Sequence, residues 1–320
     1  MTSPNKKPAS LSLDMDNLWC YQRSFGLAQW QQYPNFLPLV IPRIVDFLAS
    51  RQLNITFFAI GQDASQAGNQ PLYQSISAHH HEIANHSFHH QMDLHQASEA
   101  ELEQEISAAQ QAIFQASGQT PTGFRGPAFG QSPALLKTLF KLGFSYDAST
   151  LPNSVGALAR WYHQKSMKTG TAKQDKQLYG SLEQAWQPLK PYYWQYQQQQ
   201  LLEIPVTSMP LLRLPFHGTY LHYLADRSEK LALGYFKTAL LLCRLRRIEP
   251  SFLLHCTDFI GYDDGIDLDY LPGMRRSCAQ KMAFMHQVMG LFQQYFRPLS
   301  MRDYIAEMSA ISAPGKEIKG

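Results

Sequence analysis

The chain has 320 residues, of which 44% are hydrophobic and 17% are charged, so it can bury a sizeable core and does not have the composition of a disordered protein. Its 28 basic and 25 acidic residues give a formal net charge of +3, which is too small an excess to indicate binding to nucleic acid. Its four cysteines form no CxxC pair, which argues against a cysteine-rich zinc module and a disulfide scaffold.

Short apolar runs alternate with longer amphipathic segments along the chain. The segments predicted as strands are Ser10–Met15, Ile55–Ile60, Glu82–Ala84, Gly123–Arg125, Phe144–Tyr146, Leu202–Val206, Ser251–His255 and Pro298–Met301. The segments predicted as helices are Leu37–Ser50, Ser98–Gly118, Ser132–Leu142, Ser228–Arg247 and Arg276–Phe296. This alternation is typical of an α/β protein with a mostly parallel sheet, either open or closed into a barrel.

The segment 150–200 interrupts this alternation with a basic, polar middle, a run of glutamines and several aromatic residues. We interpret it as an insertion over one end of the sheet, although a surface loop that packs its aromatic residues only for stability fits equally well. The predicted domain spans residues 10–310, between a disordered N-terminus at 1–9 and a flexible tail at 311–320. Without a secretory signal or a bilayer-spanning segment, we expect a cytoplasmic protein with at most peripheral contact at the inner membrane surface.

Asp14 and Asp16 lie at the end of the first predicted strand. Apolar and polar residues alternate there, so the two carboxylates share one face of the strand. Adjacent carboxylates repel each other, and they are tolerated where a cation lies between them or where one stays protonated. Taken alone, the pattern is more often explained by Asp16 and Asn17 capping a turn.

His86 and His90 follow the third predicted strand. Their spacing of four residues places both imidazoles on one side of a helical turn, which suits two nitrogen ligands of one divalent metal ion. One HxxxH pattern is a weak signal by itself, because this region contains further histidines at 79–81, 89 and 95.

Three more strand ends carry polar residues. Arg125 begins a loop rich in glycine and proline, which can bring its guanidinium to a carboxylate and point backbone N–H groups at a ligand oxygen. His255 ends an apolar strand, and Asp258 can fix its tautomer. Asp147 ends another strand. The alternatives without a functional role are an ordinary turn at Arg125 and a structural, buried histidine at His255.

The position that these residues share is more informative than any one of them. In a parallel α/β barrel the carboxyl ends of the strands form one rim, where active sites are built. The set contains the parts of a metal hydrolase, namely metal ligands, a free carboxylate, an anion-binding loop and a histidine acid. The residues just after predicted strands are Asp14, Asp16, His86, His90, Arg125, Asp147 and His255.

The order and spacing of these motifs resemble the polysaccharide deacetylase family, also called the NodB-homology or carbohydrate esterase 4 group. Asp14-Met15-Asp16 resembles the first motif of that family and residues 86–90, HSFHH, resemble the second. The sequence RGPAFG at 125–130 resembles the third motif, and Leu254-His255 resembles the last. The intervening Met15 is similar to an Asp-x-Asp subgroup.

The resemblance implies a distorted (β/α) barrel that holds one divalent metal ion, usually zinc. It implies that Asp14 is the general base, that His255 is the general acid and that Arg125 orients Asp14. It further implies an oxyanion site at the backbone of Pro127 and Ala128, with Asp147 as a candidate partner of His255. The metal ligands that it implies are Asp16, His86 and His90.

The expected reaction is the removal of an N-acetyl or other N-acyl group from an amino sugar, in a glycan or in a saccharide carried on a lipid or a nucleotide. A hydrolase of a non-sugar amide, such as a ureide, an imide or a formamide, would use the same metal core. A third hypothesis is a non-catalytic barrel that binds glycans. Such a module does not need the complete set of polar residues, which is Asp14, Asp16, His86, His90 and His255.

Overall fold

A computed structural model describes residues 6–153, 187–308 and 315–318. Ten strands within these ranges form one sheet, in the order β10-β6-β7-β5-β4-β3-β2-β1-β8, with β9 paired to β1. Only β6 and β7 of the described strands pair in antiparallel fashion. The strands are β1 Pro8–Asp14, β2 Thr56–Ala59, β3 Glu82–Asn85, β4 Gly123–Phe124, β5 Tyr146–Asp147, β6 Tyr192–Tyr196, β7 Gln199–Glu203, β8 Ser251–His255, β9 Arg297–Leu299 and β10 Gly315–Glu317.

Helices connect the parallel strands and cover the outside of the sheet. A serine side chain accepts a hydrogen bond from a first-turn backbone N–H at the start of each longer helix from α5 onward, which satisfies one of the free N–H groups there. The helices are α1 Leu18–Ser24, α2 Leu37–Ser50, α3 Gly61–Ala64, α4 Gln70–Ala78, α5 Glu99–Ser117, α6 Pro133–Lys141, α7 Gly218–Ala225, α8 Glu229–Leu245, α9 Cys278–Tyr295 and α10 Met301–Glu307.

The sheet closes into a barrel through the chain that follows β7. Thr207 donates its backbone N–H to the carbonyl of Ser251 at 3.0 Å, and the Ser251 N–H donates to Thr207 Oγ1 at 2.8 Å. This contact joins the chain after β7 to β8, which stands at one end of the strand order. The barrel is distorted because the closing contact is a pair of single bonds and not a regular ladder.

Alternation of side chains along each strand separates the barrel interior from the outer layer. On β1, Leu11 and Leu13 pack in the large core beneath the helices, while Ser12 and Asp14 turn inward and contact Arg125. The interior core is a smaller apolar cluster. Its buried members are Phe58, Ala84, Tyr146, Ala148, Leu202, Ile204, Met301 and Tyr304.

Helix α10 closes the end of the barrel at which β2 and β3 begin. The Met301 N–H donates to Thr56 Oγ1 at 2.7 Å, and the Arg302 N–H donates to Glu82 Oε2 at 2.9 Å. Thr56 and Glu82 are the first residues of their strands. The carboxyl ends of the strands, at the opposite end, are therefore left to form the site.

The predicted α/β class is confirmed, and helix α2 has the predicted bounds of Leu37–Ser50. Strands β6 and β10 were not predicted, since β6 lies in the proposed insertion and β10 in the proposed tail. Strand β1 begins at Pro8, inside the segment predicted to be disordered. The predicted boundaries at 9, 200 and 311 therefore do not coincide with the ends of these strands. The division into one domain stays a prediction. Residues 154–186, which belong to the proposed insertion, lie outside the described residues.

No helix in the described ranges combines the length and the apolar character needed to cross a lipid bilayer.

Candidate active site

Polar side chains gather at the carboxyl ends of β1, β3, β4 and β8. Asp14 and His255 are paired in register as the last residues of β1 and β8. The other members come shortly after a strand end, and neighbouring parallel strands end at the same edge. We call this group the rim cluster, and it comprises Asp14, Asp16, His86, His90, Arg125 and His255.

Three of these side chains converge on one point. Asp16 Oδ1 lies 3.4 Å from His86 Nε2 and 3.1 Å from His90 Nε2. In the described part of the chain, this is the only group of three histidine, cysteine or acidic residues whose ligand atoms all lie within 4.8 Å of one another. Both imidazoles are buried, and Asp16 is partly buried.

The loop that carries the two histidines is not helical, so the prediction of a helical turn at 86–90 is wrong. Ser87 and His90 have positive φ angles of 63° and 49°, and these left-handed residues bend the chain so that both imidazoles face Asp16. The loop is held by Glu105 of α5, whose Oε1 accepts the backbone N–H groups of Phe88 at 3.1 Å and His89 at 2.5 Å. The four-residue spacing thus identified two histidines whose rings do converge, although a helical turn is not what brings them together.

The tautomer of His86 follows from its hydrogen bond. His86 Nδ1 lies 2.6 Å from the carbonyl oxygen of Arg125, which can only accept, so Nδ1 carries a hydrogen and, in the neutral ring, Nε2 presents its lone pair to the point shared with Asp16 and His90. A second hydrogen bond of this kind is usual for histidines that bind metals.

Opposite charges dominate the electrostatics of the convergent group. Burial by itself would raise the pKa of Asp16, but the facing imidazoles of His90 and His86 outweigh it and hold the pKa well below its usual value. Burial would likewise lower the pKa of His86, yet the carboxylates of Asp14 and Asp16 raise it. Asp16 and His86 therefore stabilise each other's charged forms.

The convergent group fits a divalent metal ion. Ligands about 2.0–2.1 Å from a tetrahedral zinc ion lie about 3.3 Å from one another, which agrees with the two distances to Asp16 Oδ1. Asp16 Oδ1 is buried and accepts no hydrogen bond from the described residues. A buried acceptor of this kind is stabilised by a cation, and two imidazoles with one carboxylate form a common donor set for divalent metals.

Asp14 stands beside this group and is held by Arg125. The Arg125 guanidinium donates through Nη1 to Asp14 Oδ1 at 2.5 Å and to Ser12 Oγ at 3.1 Å, and through Nε to the carbonyl of Ala148. It also stacks over the Phe58 ring at 4.0 Å. Because these contacts engage Oδ1, the other carboxylate oxygen remains directed to the site.

His255 faces Asp14 from the adjacent strand. Asp14 Oδ2 lies 4.0 Å from His255 Nε2 and 4.0 Å from His86 Nε2. On the other side of the ring, His255 Nδ1 lies 3.0 Å from Thr219 Oγ1. One carboxylate oxygen is thus placed between the convergent group and a histidine nitrogen, which is an arrangement suited to moving protons.

The loop after Arg125 folds into a tight turn. Ala128 and Phe129 have φ angles of 53° and 58°. The Phe129 and Gly130 N–H groups donate to the carbonyls of Gly126 and Pro127 at 3.0 Å. Neither bond uses the N–H of Ala128.

Asp147 is not part of the rim cluster, and the prediction that it pairs with His255 is wrong. Tyr146 of β5 and Ala148, the residue after this strand, face the barrel interior, so Asp147 points to the outer face. Its hydrogen-bond partners there include Gln131 at 2.9 Å, Ser149 and the Glu203 carboxyl group.

Two residues that support the site were not identified from the sequence. Glu105 had a usable signal, since it lies between Leu102 and Ile106 on the buried face of α5 and a buried acid needs partners. Thr219 had none, because its contact with His255 depends on how α7 packs against β8. Asp258 was identified as a partner of His255, and it reaches the imidazole through Thr219.

Comparison with known proteins gives one family match. A family model described as polysaccharide deacetylase matches residues 30–146. A chitooligosaccharide deacetylase from Bradyrhizobium sp. (strain ANU 289) is 34% identical over 110 residues, which are 34% of this chain and 48% of that protein. The chain therefore spans about half the length of this curated relative.

Solved structures give a fold match over the whole chain. A protein from Mycobacterium smegmatis, provisionally described as a polysaccharide deacetylase, has a TM-score of 0.62 at 18% identity and covers 100% of this chain and 96% of its own. A family 4 carbohydrate esterase from Streptomyces lividans, solved with acetate, has a TM-score of 0.37 at 23% identity, over 53% of this chain and 77% of its own. At such identities the likeness concerns the fold alone, and only the first is similar enough to support it.

Proposed function

We propose that this chain, whose residues 30–146 match the polysaccharide deacetylase family model, is a metal-dependent hydrolase that removes an N-acetyl group from an amino sugar of a saccharide. The observation that carries the proposal is the convergence of Asp16, His86 and His90 beside the Asp14 carboxylate and the His255 imidazole. This arrangement provides a metal site, a base and an acid within one rim cluster.

Asp16, His86 and His90 would hold the ion. A divalent metal ion in such a site polarises an acyl carbonyl and makes a water molecule more acidic. The Nδ1–H bond of His86 to the Arg125 carbonyl keeps the Nε2 lone pair directed to the ion.

The remaining residues of the rim cluster move protons and stabilise charge. Asp14 takes a proton from the attacking water, and Arg125 holds its carboxylate in place. The N–H of Ala128 donates to the carbonyl oxygen as negative charge develops there. His255 then gives a proton from Nε2 to the amine nitrogen as the C–N bond breaks, so that acetate and a free amino sugar leave.

Metal analysis and acetate release from purified protein test this proposal. The substrate panel includes chitooligosaccharides, which the curated relative's name suggests, nucleotide- and lipid-linked N-acetylhexosamines, and a ureide, an imide and a formamide. We expect one bound divalent ion per chain and acetate from a saccharide. His90→Ala should lose the metal and the activity together, whereas Asp14→Asn should keep the metal and lose turnover.

Other results would select a different function. Turnover only on a ureide, imide or formamide would make the protein a non-sugar amide hydrolase. Metal-free protein that still binds glycans would make it a non-catalytic barrel. Full activity of Asp14→Asn would remove Asp14 from the role of base.

We also propose a cytoplasmic location with peripheral contact at the inner membrane, where a lipid-linked saccharide is available. Two features support it. The cysteines are free thiols, and helix α8 exposes Leu241 and Leu245 close to the basic run Arg244, Arg246 and Arg247, a combination suited to an anionic lipid surface. Flotation with vesicles that contain anionic phospholipid should carry the protein upward, and equal behaviour with and without vesicles would remove the membrane part of the proposal.

A further inference from the structure

The imidazole of His255 is connected to a buried carboxylate through one hydroxyl group. His255 Nδ1 lies 3.0 Å from Thr219 Oγ1, and Thr219 Oγ1 donates to Asp258 Oδ1 at 2.9 Å. The second oxygen of Asp258 accepts the backbone N–H of His255, also at 2.9 Å. We propose that Thr219 and Asp258 are positioning residues that fix the tautomer and the ring orientation of His255. This inference rests on the proposed function, in which His255 is the acid.

The direction of these hydrogen bonds follows from the number of hydrogens available. An ionised carboxylate only accepts, and a hydroxyl group has one hydrogen to donate. If Thr219 donates to Asp258, it must accept from His255, so Nδ1 of His255 carries a hydrogen. Nε2, which faces Asp14 Oδ2, is then the nitrogen that gains and loses the proton.

A glycine at the start of helix α7 allows the Asp258 carboxylate to approach the backbone of this helix closely. Asp258 is 1% exposed and lies against Gly218, the first residue of α7. A Cβ atom on Gly218 would lie 2.1 Å from Asp258 Oδ2 and 2.9 Å from Leu254 Cδ2, so only glycine permits this approach. The N-terminal end of a helix also favours a nearby negative charge.

A buried lysine lies close enough to Asp258 to act on the charge of its carboxylate. Lys281 of α9 is 1% exposed and donates to the carbonyl of Thr257 at 2.8 Å. Burial raises the pKa of Asp258, and the charges of His255 and Lys281 oppose that rise. The positive charge of Lys281 therefore supports the acceptor role assigned to Asp258.

The same helix start also packs against the ring. His217 precedes Gly218, and its ring lies edge-on to His255 with centroids 5.9 Å apart. Residues 217–219 thus supply an aromatic contact, the space for Asp258 and the hydroxyl group. This segment determines the ring plane of His255 as well as its tautomer.

Replacement of one hydroxyl group tests the proposal. Thr219→Val keeps the volume of the side chain and removes its hydrogen bonds. On an N-acetylated saccharide we expect kcat to fall by about 10-fold or more, as part of the contribution of a general acid is lost, with KM and bound metal unchanged. Thr219→Ser restores the hydroxyl group and should keep most of kcat. Thr238→Val is the matched control, because Thr238 is exposed and its hydroxyl donates to the Gly234 carbonyl within α8.

The choice of leaving group distinguishes positioning of an acid from general damage. An aryl acetate releases a phenolate, which needs no proton as the C–O bond breaks. We therefore expect Thr219→Val to lose activity on the amide and to keep most of it on the aryl ester. Equal losses on both substrates would overturn the assignment, because they would indicate a purely structural role.

Nitrogen NMR of His255 separates failure of this inference from failure of the proposed function. In the wild-type protein the signals should show hydrogen on Nδ1, and Thr219→Val should mix the two tautomers. A protein without deacetylase activity but with this signature would sink the proposed function and leave the positioning role intact. Two results would overturn the positioning role alone. The first is deacetylase activity in a protein whose neutral His255 ring carries its hydrogen on Nε2. The second is deacetylase activity that is unchanged in Thr219→Val.

Discussion

Arg125 and Asp14 form an ion pair inside the barrel, with Arg125 0% exposed and Asp14 3% exposed. Arg125→Met leaves the carboxylate buried without its partner, and removal of one member of a buried pair destabilises a protein by about 3–5 kcal/mol. Urea denaturation should show a loss of this size. The double variant Arg125→Met/Asp14→Asn removes both charges and should regain much of it. Equal stability of the single and double variants would mean that charge burial is not the cause.

Asp63 gives a pH dependence whose sign can be worked out. Burial raises its pKa from 3.8 to about 7, against the hydrogen bonds from Trp19 and Asn17. Between these values the folded chain holds a proton that the unfolded chain releases, so this contribution to stability falls as the pH rises, by up to about 1.4 kcal/mol per pH unit. We expect the free energy of unfolding of metal-free wild type, relative to Asp63→Asn, to decrease from pH 4 to pH 7 and then to level off. Parallel curves for the two proteins would contradict the raised pKa.

Individual residues also show which parts of the site could be predicted from the sequence. Asp14 and Asp16 were recognised because alternation along a strand is visible in the sequence. The same alternation was not applied to Tyr146 and Asp147, and it turns Asp147 away from the interior. The role of Thr219 could not be predicted from the sequence, since only the packing of two distant segments brings this threonine next to His255.

Helix α5 holds the loop that carries His86 and His90. Glu105 accepts the backbone N–H groups of Phe88 and His89 and contacts the His89 ring. Glu105→Ala should release the loop and weaken metal binding by about 10–100-fold, the usual effect of losing a residue that supports a metal ligand. Calorimetric titration with zinc measures the change.

A matched variant at the other end of the same helix is the control. Ser98 and Glu101 form the capping box of α5, so Ser98→Ala should reduce stability by about 1 kcal/mol with unchanged affinity for zinc. If both variants weaken zinc binding equally, the effect belongs to the stability of the helix and not to the contact with the loop.

Elements with local signals were predicted well, and elements without them were not. Serine caps and apolar periodicity lie within a few residues of the helix that they define, so the bounds of α2 and α5 could be read from the sequence. The loop 86–90 has no such signal, because Glu105, which accepts the N–H groups of Phe88 and His89, lies 17 and 16 residues further along the chain. Within the described ranges, strand β6 pairs only with β7 and β10, and its glutamine-rich neighbourhood shows no apolar alternation.

At the scale of the whole molecule, the barrel depends on a helix from the end of the described chain. Met301 and Tyr304 of α10 complete the interior core, and the backbone of α10 supplies hydrogen bonds to Thr56 and Glu82. Deletion of residues 297–320 would expose that core and leave the Glu82 carboxylate with fewer partners in the interior. We therefore expect this truncated chain to lose cooperative thermal unfolding and to bind a dye for exposed apolar surface.

A shorter deletion separates the role of α10 from that of the final strand. Removal of residues 313–320 takes away β10, which pairs with β6 at the edge of the sheet and outside the closed ring. Because edge strands add few interior contacts, this chain should unfold cooperatively, only slightly below the wild-type melting temperature, and should keep its affinity for zinc. If the shorter deletion were as damaging as the longer one, the stability of the barrel would depend on the β6–β10 edge and not on the closure of its base by α10.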